Sequence, residues 1–315
     1  MSDDLPSNVT LSDLTPEQIN ELSSYGYVPT EWICILFLVL FALTTGNVAA
    51  HFVQTFVYRQ WWILATIVLC GGLECLGWAG RLWSSRNILA DDPYMIQIVT
   101  TIIAPTPLLA ANFVMMGRLV RRLGPSYSRL SPRWYTIIFC SSDVISLFVQ
   151  GAGGGIAASA DDHAGADNGG RIMLGGISFQ LVAIVFFVIF SAEFLWRYFN
   201  DRPHAKRVTV PAESTSTLTP PRGTLTLPLK LTIACLCATT VLLVIRAVYR
   251  LIELSDGWNG KIITTEIWFN LFDATMVVLV MFCLNVLHPG WMLRDPPAEL
   301  QEKPYEYSTV TVNVA

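Results

Sequence analysis

The sequence predicts an all-α polytopic membrane protein: a seven-transmembrane-helix bundle with the N-terminus outside and the C-terminus cytosolic. Three observations predict it. Seven apolar stretches run along the 315 residues, each close to the ~20 residues that cross hydrocarbon as a helix. The chain is 53% hydrophobic and only 14% charged, where a soluble domain carries about 25% charged residues. Most of the stretches also hold charged or amide side chains at helical spacing. A charge at the bilayer centre costs roughly 2.5–3.5 kcal/mol on insertion scales, so such side chains face protein or water.

Residues 1–30 contain no Lys or Arg but do contain Asp3, Asp4, Asp13, Glu17 and Glu21. No basic segment precedes the first span, which reads as an uncleaved anchor behind an extracellular tail. In that tail Asn8-Val9-Thr10 is a glycosylation sequon with Asn8 as acceptor. The first span, near 32–56, carries Asn47, His51 and Gln54 as a stripe toward its inner end. In the second, near 61–82, Glu74 and Arg81 lie two helical turns apart on one face.

The third span, near 94–117, is interrupted by Ala104-Pro105-Thr106-Pro107. Proline lacks an N–H, so carbonyls one turn back need other partners or a cavity. Pro105 and Pro107 are therefore hinge residues, or mark a static kink. The fourth span, near 134–156, places Asp143 and Gln150 on one face. It ends in Gly151-Ala152-Gly153-Gly154-Gly155, which suits close backbone approach, a pocket mouth or a loop. An outer loop at 157–170, rich in Gly, Ala and Asp, holds no binding motif.

The fifth span is near 172–196. Segment 200–228 breaks the composition: Pro211 to Pro221 is Ser-, Thr- and Pro-rich and cannot bury a core, so it reads as a flexible cytosolic loop. The sixth span, near 229–252, steps Arg246, Arg250, Glu253 by four and three. The seventh, near 264–287, steps Glu266, Asn270, Asp273 in the same way. From 289 to 315 a short polar cytosolic tail follows. The transmembrane unit, 31–288, is one domain without internal repeats. All seven cysteines fall within spans, as small core side chains rather than bridges.

Orientation follows from the cations. With the N-terminus outside, fourteen of the 20 Lys and Arg residues lie in inner segments, four in outer ones, and Arg246 and Arg250 inside the sixth span. That asymmetry obeys the positive-inside rule. It also gathers Glu74, Gln150, Arg246 and Asp273 into the outer half of the bundle, with Asp143 near the middle. Arg81, Arg250, Glu253 and Glu266 form the rim. Glu74–Arg81, Arg246–Asp273 and Arg250–Glu266 are expected pairs, although spacing does not choose among pairings. Two readings stay open: the charges lock helices together, or they line a wet cavity open to the outside.

Several functions are excluded by pattern. The net charge is −4 and no basic stripe with interleaved aromatics exists, so no nucleic-acid partner is expected. There is no G-x-x-x-x-G-K-[ST] phosphate loop. The seventh span has no Lys for a Schiff base and no Asn-Pro-x-x-Tyr. The third ends Met116-Gly117-Arg118-Leu119 rather than Asp/Glu-Arg-Tyr. With only four histidines, three of them in loops or at a span end, a three-ligand intramembrane zinc site is not expected. No metal, cofactor or enzymatic activity is predicted.

One pattern remains, spread over the chain from Gly26 to about Gly290. It comprises Gly26-Tyr27-x-Pro29; Glu74-x-x-Gly77-Trp78-x-x-Arg81; Ala104-Pro105, Ala110-Ala111 and Gly117-Arg118; and Asp143 with Gln150-Gly151-x-Gly153-Gly154. It continues with Gly176 and Gln180; Arg246-x-x-Tyr249-Arg250-x-x-Glu253; Glu266; Phe272-Asp273; and His288-Pro289-Gly290. In order and spacing this resembles the fungal lipid-translocating exporters, seven-span proteins named for aminocholesterol resistance. Trp78, Asn270 and Thr275 depart from that pattern, which bears on substrate identity more than on fold. The resemblance implies a plasma-membrane protein that moves amphiphiles such as sphingoid long-chain bases or sterol-like toxic compounds. It also adds Gln180 to the expected pocket of Glu74, Arg81, Asp143, Gln150, Arg246, Arg250, Glu266 and Asp273. Partners are then membrane lipids and amphiphilic small molecules. The alternative is a seven-span lipid sensor signalling through basic inner loops, with Arg118, Arg121 and Arg122 as a docking face.

Overall fold

A computed structural model describes residues 23, 25–50, 61–88, 90–160, 162–204, 223–257 and 260–293. Asn8, His51, Gln54 and the tail beyond residue 293 lie outside them. Among the described residues every regular element is a helix. Helix α1 spans Glu31–Ala50. Helix α2 opens with a wide π turn, Leu64–Val68, and continues over Leu69–Arg86. Helix α3 has two halves, Asp91–Ile103 and Pro105–Leu123. Helices α4, α5 and α6 are Pro132–Ala158, His163–Phe199 and Leu227–Ser255. Helix α7 runs Glu266–Phe269, a second π turn Asn270–Ala274, and Thr275–Val286.

Local chemistry explains the boundaries. Pro132 and Pro228 occupy first turns, where a missing N–H costs nothing. Asp162 caps α5 by accepting from Gly165 N at 2.9 Å. That cap corrects the expected outer loop at 157–170: α4 continues to Ala158 and α5 starts at His163. The glycine run is likewise helical. A Cβ on Gly153 would lie 2.5 Å from Met173 N, and one on Gly169 would lie 2.4 Å from Ala157 N. Only glycines at this crossing let α4 and α5 approach so closely.

Five helices are long and apolar enough to cross a membrane: Asp92–Leu123, Pro132–Ala157, Ala164–Phe199, Leu227–Ser255 and Glu266–Val286. Glu31–Asn47 is a shorter apolar helix. Four glycines with Glu74, Arg81 and Arg86 dilute the apolarity of α2. The protein is thus a polytopic helical bundle, in which successive helices reverse direction.

One end gathers the start of α1 and the end of α2, tied by Arg86 to Glu31 at 2.6 Å. At the opposite, cation-rich end Arg122 Nη2 donates to Leu293 O at 2.9 Å, and Arg118 lies 5.0 Å from the Trp62 ring. Two of the three arginines of the supposed docking face, Arg118 and Arg122, therefore also bind the bundle itself. Segment 200–228 is less free than expected at its described ends. His204 N donates to Ser126 O, Tyr198 Oη donates to Gly223 O at 2.7 Å, and α6 begins at Leu227. Residues 205–222 lie outside the described set. Between the two ends, Phe113, Phe139 and Phe187 pack edge to face and tilted, with centroids 4.7–5.4 Å apart. All seven cysteines are free.

Candidate functional site

The polar residues form two buried clusters. The larger begins on α2 with Arg81, which is 1% exposed. Its Nη2 donates to Tyr27 Oη at 2.7 Å and lies 3.3 Å from Glu266 Oε1. Rings of Tyr25, Tyr27, Trp78 and Phe269 surround the guanidinium at 4.8–5.6 Å, an aromatic cage suited to a weakly hydrated planar cation. Glu266 accepts from Thr30 N at 3.0 Å and Thr30 Oγ1 at 2.6 Å.

The strand of chain before α1 is thereby strapped across this end of the bundle. Gly26 makes the turn possible at φ 71°, a conformation that suits glycine. Burial pushes the Tyr25 hydroxyl up to about 12 and raises that of Tyr27, although Arg81 pulls both the other way. Both stay neutral at ordinary pH, and Tyr27 serves as the acceptor Arg81 needs.

One turn deeper lies the second guanidinium. Arg250 on α6 grips Asp273 with two bonds of 2.9 Å, from Nε and Nη2, the fork geometry that gives Arg–carboxylate pairs their strength. Its Nη1 donates to Glu253 Oε2 at 2.7 Å, and Tyr249 Oη donates to Glu253 Oε1 at 2.8 Å. Phe269 sits within reach of both cations, 4.8 Å from Arg81 and 5.1 Å from Arg250.

Arg246 stands 2.8 Å from Asp273 Oδ1 as an ion pair without hydrogen-bond alignment. Its Nη2 donates to the Thr101 carbonyl at 2.8 Å. That carbonyl is free because Pro105, four residues on, has no N–H to offer. The proline break in α3 thus supplies a backbone ligand for an intramembrane arginine.

Glu74 is 1% exposed, and neither of its carboxylate oxygens has a hydrogen-bond donor. Asp273, Arg246 and Arg250 are the charges acting on it, and Trp78 Nε1 lies toward it outside hydrogen-bond geometry.

The smaller cluster joins α4 to α5. Ser146 Oγ donates to Gly176 O at 2.6 Å; Gln150 Nε2 donates to Ser146 Oγ at 2.6 Å and to Gln180 Oε1 at 3.1 Å. Gln180 Nε2 reaches Asp143 Oδ1 only at 3.5 Å, and Asp143 Oδ2 has no donor. Gly176 permits this approach, since a Cβ there would lie 2.8 Å from Gln150 Cγ.

Of the expected pairs, Arg246–Asp273 forms. Glu74–Arg81 and Arg250–Glu266 do not: Arg81 takes Glu266, and Arg250 takes Asp273 and Glu253. Helical spacing assigns a face to each residue but not the partner opposite it. Tyr27, Thr30 and Phe269 were not anticipated in the site. The Thr101 carbonyl could have been, by counting four back from Pro105. Among the described residues no group of three or more His, Cys, Asp or Glu is placed to hold a metal.

Cavities connect these parts. An apolar cleft of about 270 Å³ lies between the first half of α3, the end of α4 and the start of α5. A void of about 10 Å³ bordered by Gln150, Gln180, Arg246 and Arg250 links the two clusters. Another of about 40 Å³ lies among Tyr25, Arg81, Arg250 and Glu253. Ile102 borders all three. A vestibule of about 310 Å³ near Asp167, Arg171 and Ser255 shares Leu254 and Ile263 with the 40 Å³ void. The voids within the polar core therefore have room for little more than water.

Residues 67–296 match the family described as RTA1 like protein. The chain is 28% identical over 324 residues to the sphingoid long-chain base transporter RSB1 of Saccharomyces cerevisiae (strain JAY291), covering 95% of this chain and 82% of that one. Protoporphyrin uptake protein 1 of Saccharomyces cerevisiae (strain ATCC 204508 / S288c) is 29% identical over 215 residues, covering 68% and 64%. Protein RTM1 of Saccharomyces cerevisiae is 28% identical over 208 residues, covering 66% and 61%. No solved structure matches.

Proposed function

The chain belongs to the RTA1-like protein family, and on that premise we propose that it translocates amphiphilic lipids and lipid-like toxic compounds, sphingoid long-chain bases first among them. It does so as a seven-span protein of the plasma membrane, N-terminus outside, and contributes to lipid homeostasis and resistance to sterol analogues. The observation that carries the reading is the pair of buried carboxylates, Glu74 and Asp143, which keep oxygens without donors, whereas the other buried acids, Glu253 and Asp273, are paired with arginine. An unsatisfied carboxylate in a dry site is costly. A cationic amine with neighbouring hydroxyls supplies the missing donors, while its hydrocarbon tail stays among apolar side chains. The similarity to a named long-chain base transporter supports the same cargo class.

Asp143 is the residue to test, because Gln180 alone reaches it, and weakly. Purified protein in liposomes is expected to move a fluorescent sphingoid base across the bilayer. Asp143→Asn, inserted and folded normally, is expected to slow that movement by on the order of 10²-fold, as the loss of a buried charge contact does. Equal rates for the two proteins would refute the role of Asp143. Saturable binding without movement in wild type would refute translocation and favour a sensor.

A further inference from the structure

The glycines that end α4 differ in what they do. Gly153 meets α5 so closely that no Cβ fits. At Gly151 and Gly155 a Cβ would meet nothing within 4 Å, and at Gly154 only Met173 Sδ at 3.7 Å. Packing asks for none of these three, and glycine in a helix interior is unfavourable relative to alanine. All three border the 270 Å³ cleft. Their effect is to leave one wall of it bare.

The opposite wall is α3, with Met95, Ile98, Val99 and Ile102. Helix α4 packs along the second half of α3 and draws away from the first, so a wedge opens beyond the Pro105–Pro107 break. The cleft is lined by the first turns of span Asp92–Leu123 and the last turns of span Pro132–Ala157. Its volume falls near the lower bound of ligand sites, about 300 Å³, which suits one flexible chain better than a fused ring system. It is continuous with the polar core, since Gln150 and Ile102 border both.

We propose that this cleft is an alkyl-chain subsite, entered from the lipid, with Gly151, Gly154 and Gly155 setting the chain length it accepts and Ile102 parting the chain from its head group. The head then lies at the inner end of the cleft against Gln150, which Gln180 links to Asp143 behind it. This deepens the translocator reading and rests on it for the identity of the ligand as a single-chain amine.

The test uses the full-length protein in lipid nanodiscs with a single-chain amine carrying a diazirine along its tail. In wild type, photolabel is expected on peptides covering 94–103 and 147–157. Gly155→Leu fills the cleft from α4 and Val99→Trp fills it from α3. Each is expected to lower that labelling on the order of tenfold, the scale on which a hydrophobic pocket discriminates size, and to shift transport toward shorter amines. Two variants on separate helices guard against one failing to fold. Labelling elsewhere, or unchanged labelling in folded Gly155→Leu and Val99→Trp, overturns the subsite even if wild type moves amines. Labelling in the cleft with no movement in liposomes upholds the subsite and refutes translocation instead.

Discussion

Arg246 shows how a single residue makes a charged interior tolerable. It answers two acceptors at once, the Asp273 carboxylate and the Thr101 carbonyl that Pro105 leaves open. Removing one partner of a buried pair costs about 3–5 kcal/mol. Because Arg250 still holds Asp273 with two bonds, Arg246→Met is expected near the lower end, about 3 kcal/mol, by thermal unfolding in detergent. Pro105→Ala restores an N–H four residues after Thr101. The double variant is therefore expected to recover about 1 kcal/mol, one hydrogen bond's net contribution. Such a non-additive pair is what a cycle detects. If the double variant is no more stable than Arg246→Met alone, the carbonyl is not what Arg246 satisfies.

Between helices, spacing loses its power to predict. The i, i+3, i+4 and i+7 steps correctly put Arg246, Arg250 and Glu253 on one face, and Glu74 with Arg81 on another. They do not reveal that α7 passes through a π turn at Asn270–Ala274, where Thr275 Oγ1 bonds Asn270 O at 2.7 Å. The extra residue in that turn resets the register by which Glu266 and Asp273 meet their partners. Nor can four glycines within five residues be told apart by reading them. Gly153 abuts the backbone of α5, while Gly151 and Gly155 abut nothing; only the crossing of two helices distinguishes them. Gly153→Val is therefore expected to destabilise the bundle by at least the 1–3 kcal/mol typical of overpacking, since its obstacle is backbone. Gly155→Val should lie within about 0.5 kcal/mol of wild type, as surface substitutions do. Melting temperatures of the two proteins in one detergent decide this, and similar losses in both would contradict the crossing geometry.

At the scale of the whole molecule, the narrowness of the core sets a requirement. Voids of about 10 and 40 Å³ cannot pass a head group, so movement of cargo needs Ile102 to yield on the cleft side and Leu254 and Ile263 on the vestibule side. The vestibule then has to face the compartment that receives or supplies the cargo, which makes orientation a functional matter. In the proposed seven-span topology the termini lie on opposite sides, and the cations choose between them. Arg118, Arg121, Arg122, Arg129 and Arg133 crowd one end, where retaining lysines and arginines on the cytosolic side is favoured. On that proposal the vestibule end, with Glu31, Asp162 and Asp167, faces the outside. Ser159 is exposed at that end and Ser131 at the other. Ser159→Cys is expected to react with a membrane-impermeant maleimide on intact cells, and Ser131→Cys only after permeabilisation. The native cysteines, all within helices, provide the background to subtract. The reverse pattern would turn the vestibule toward the cytosol and make the same pathway one for uptake.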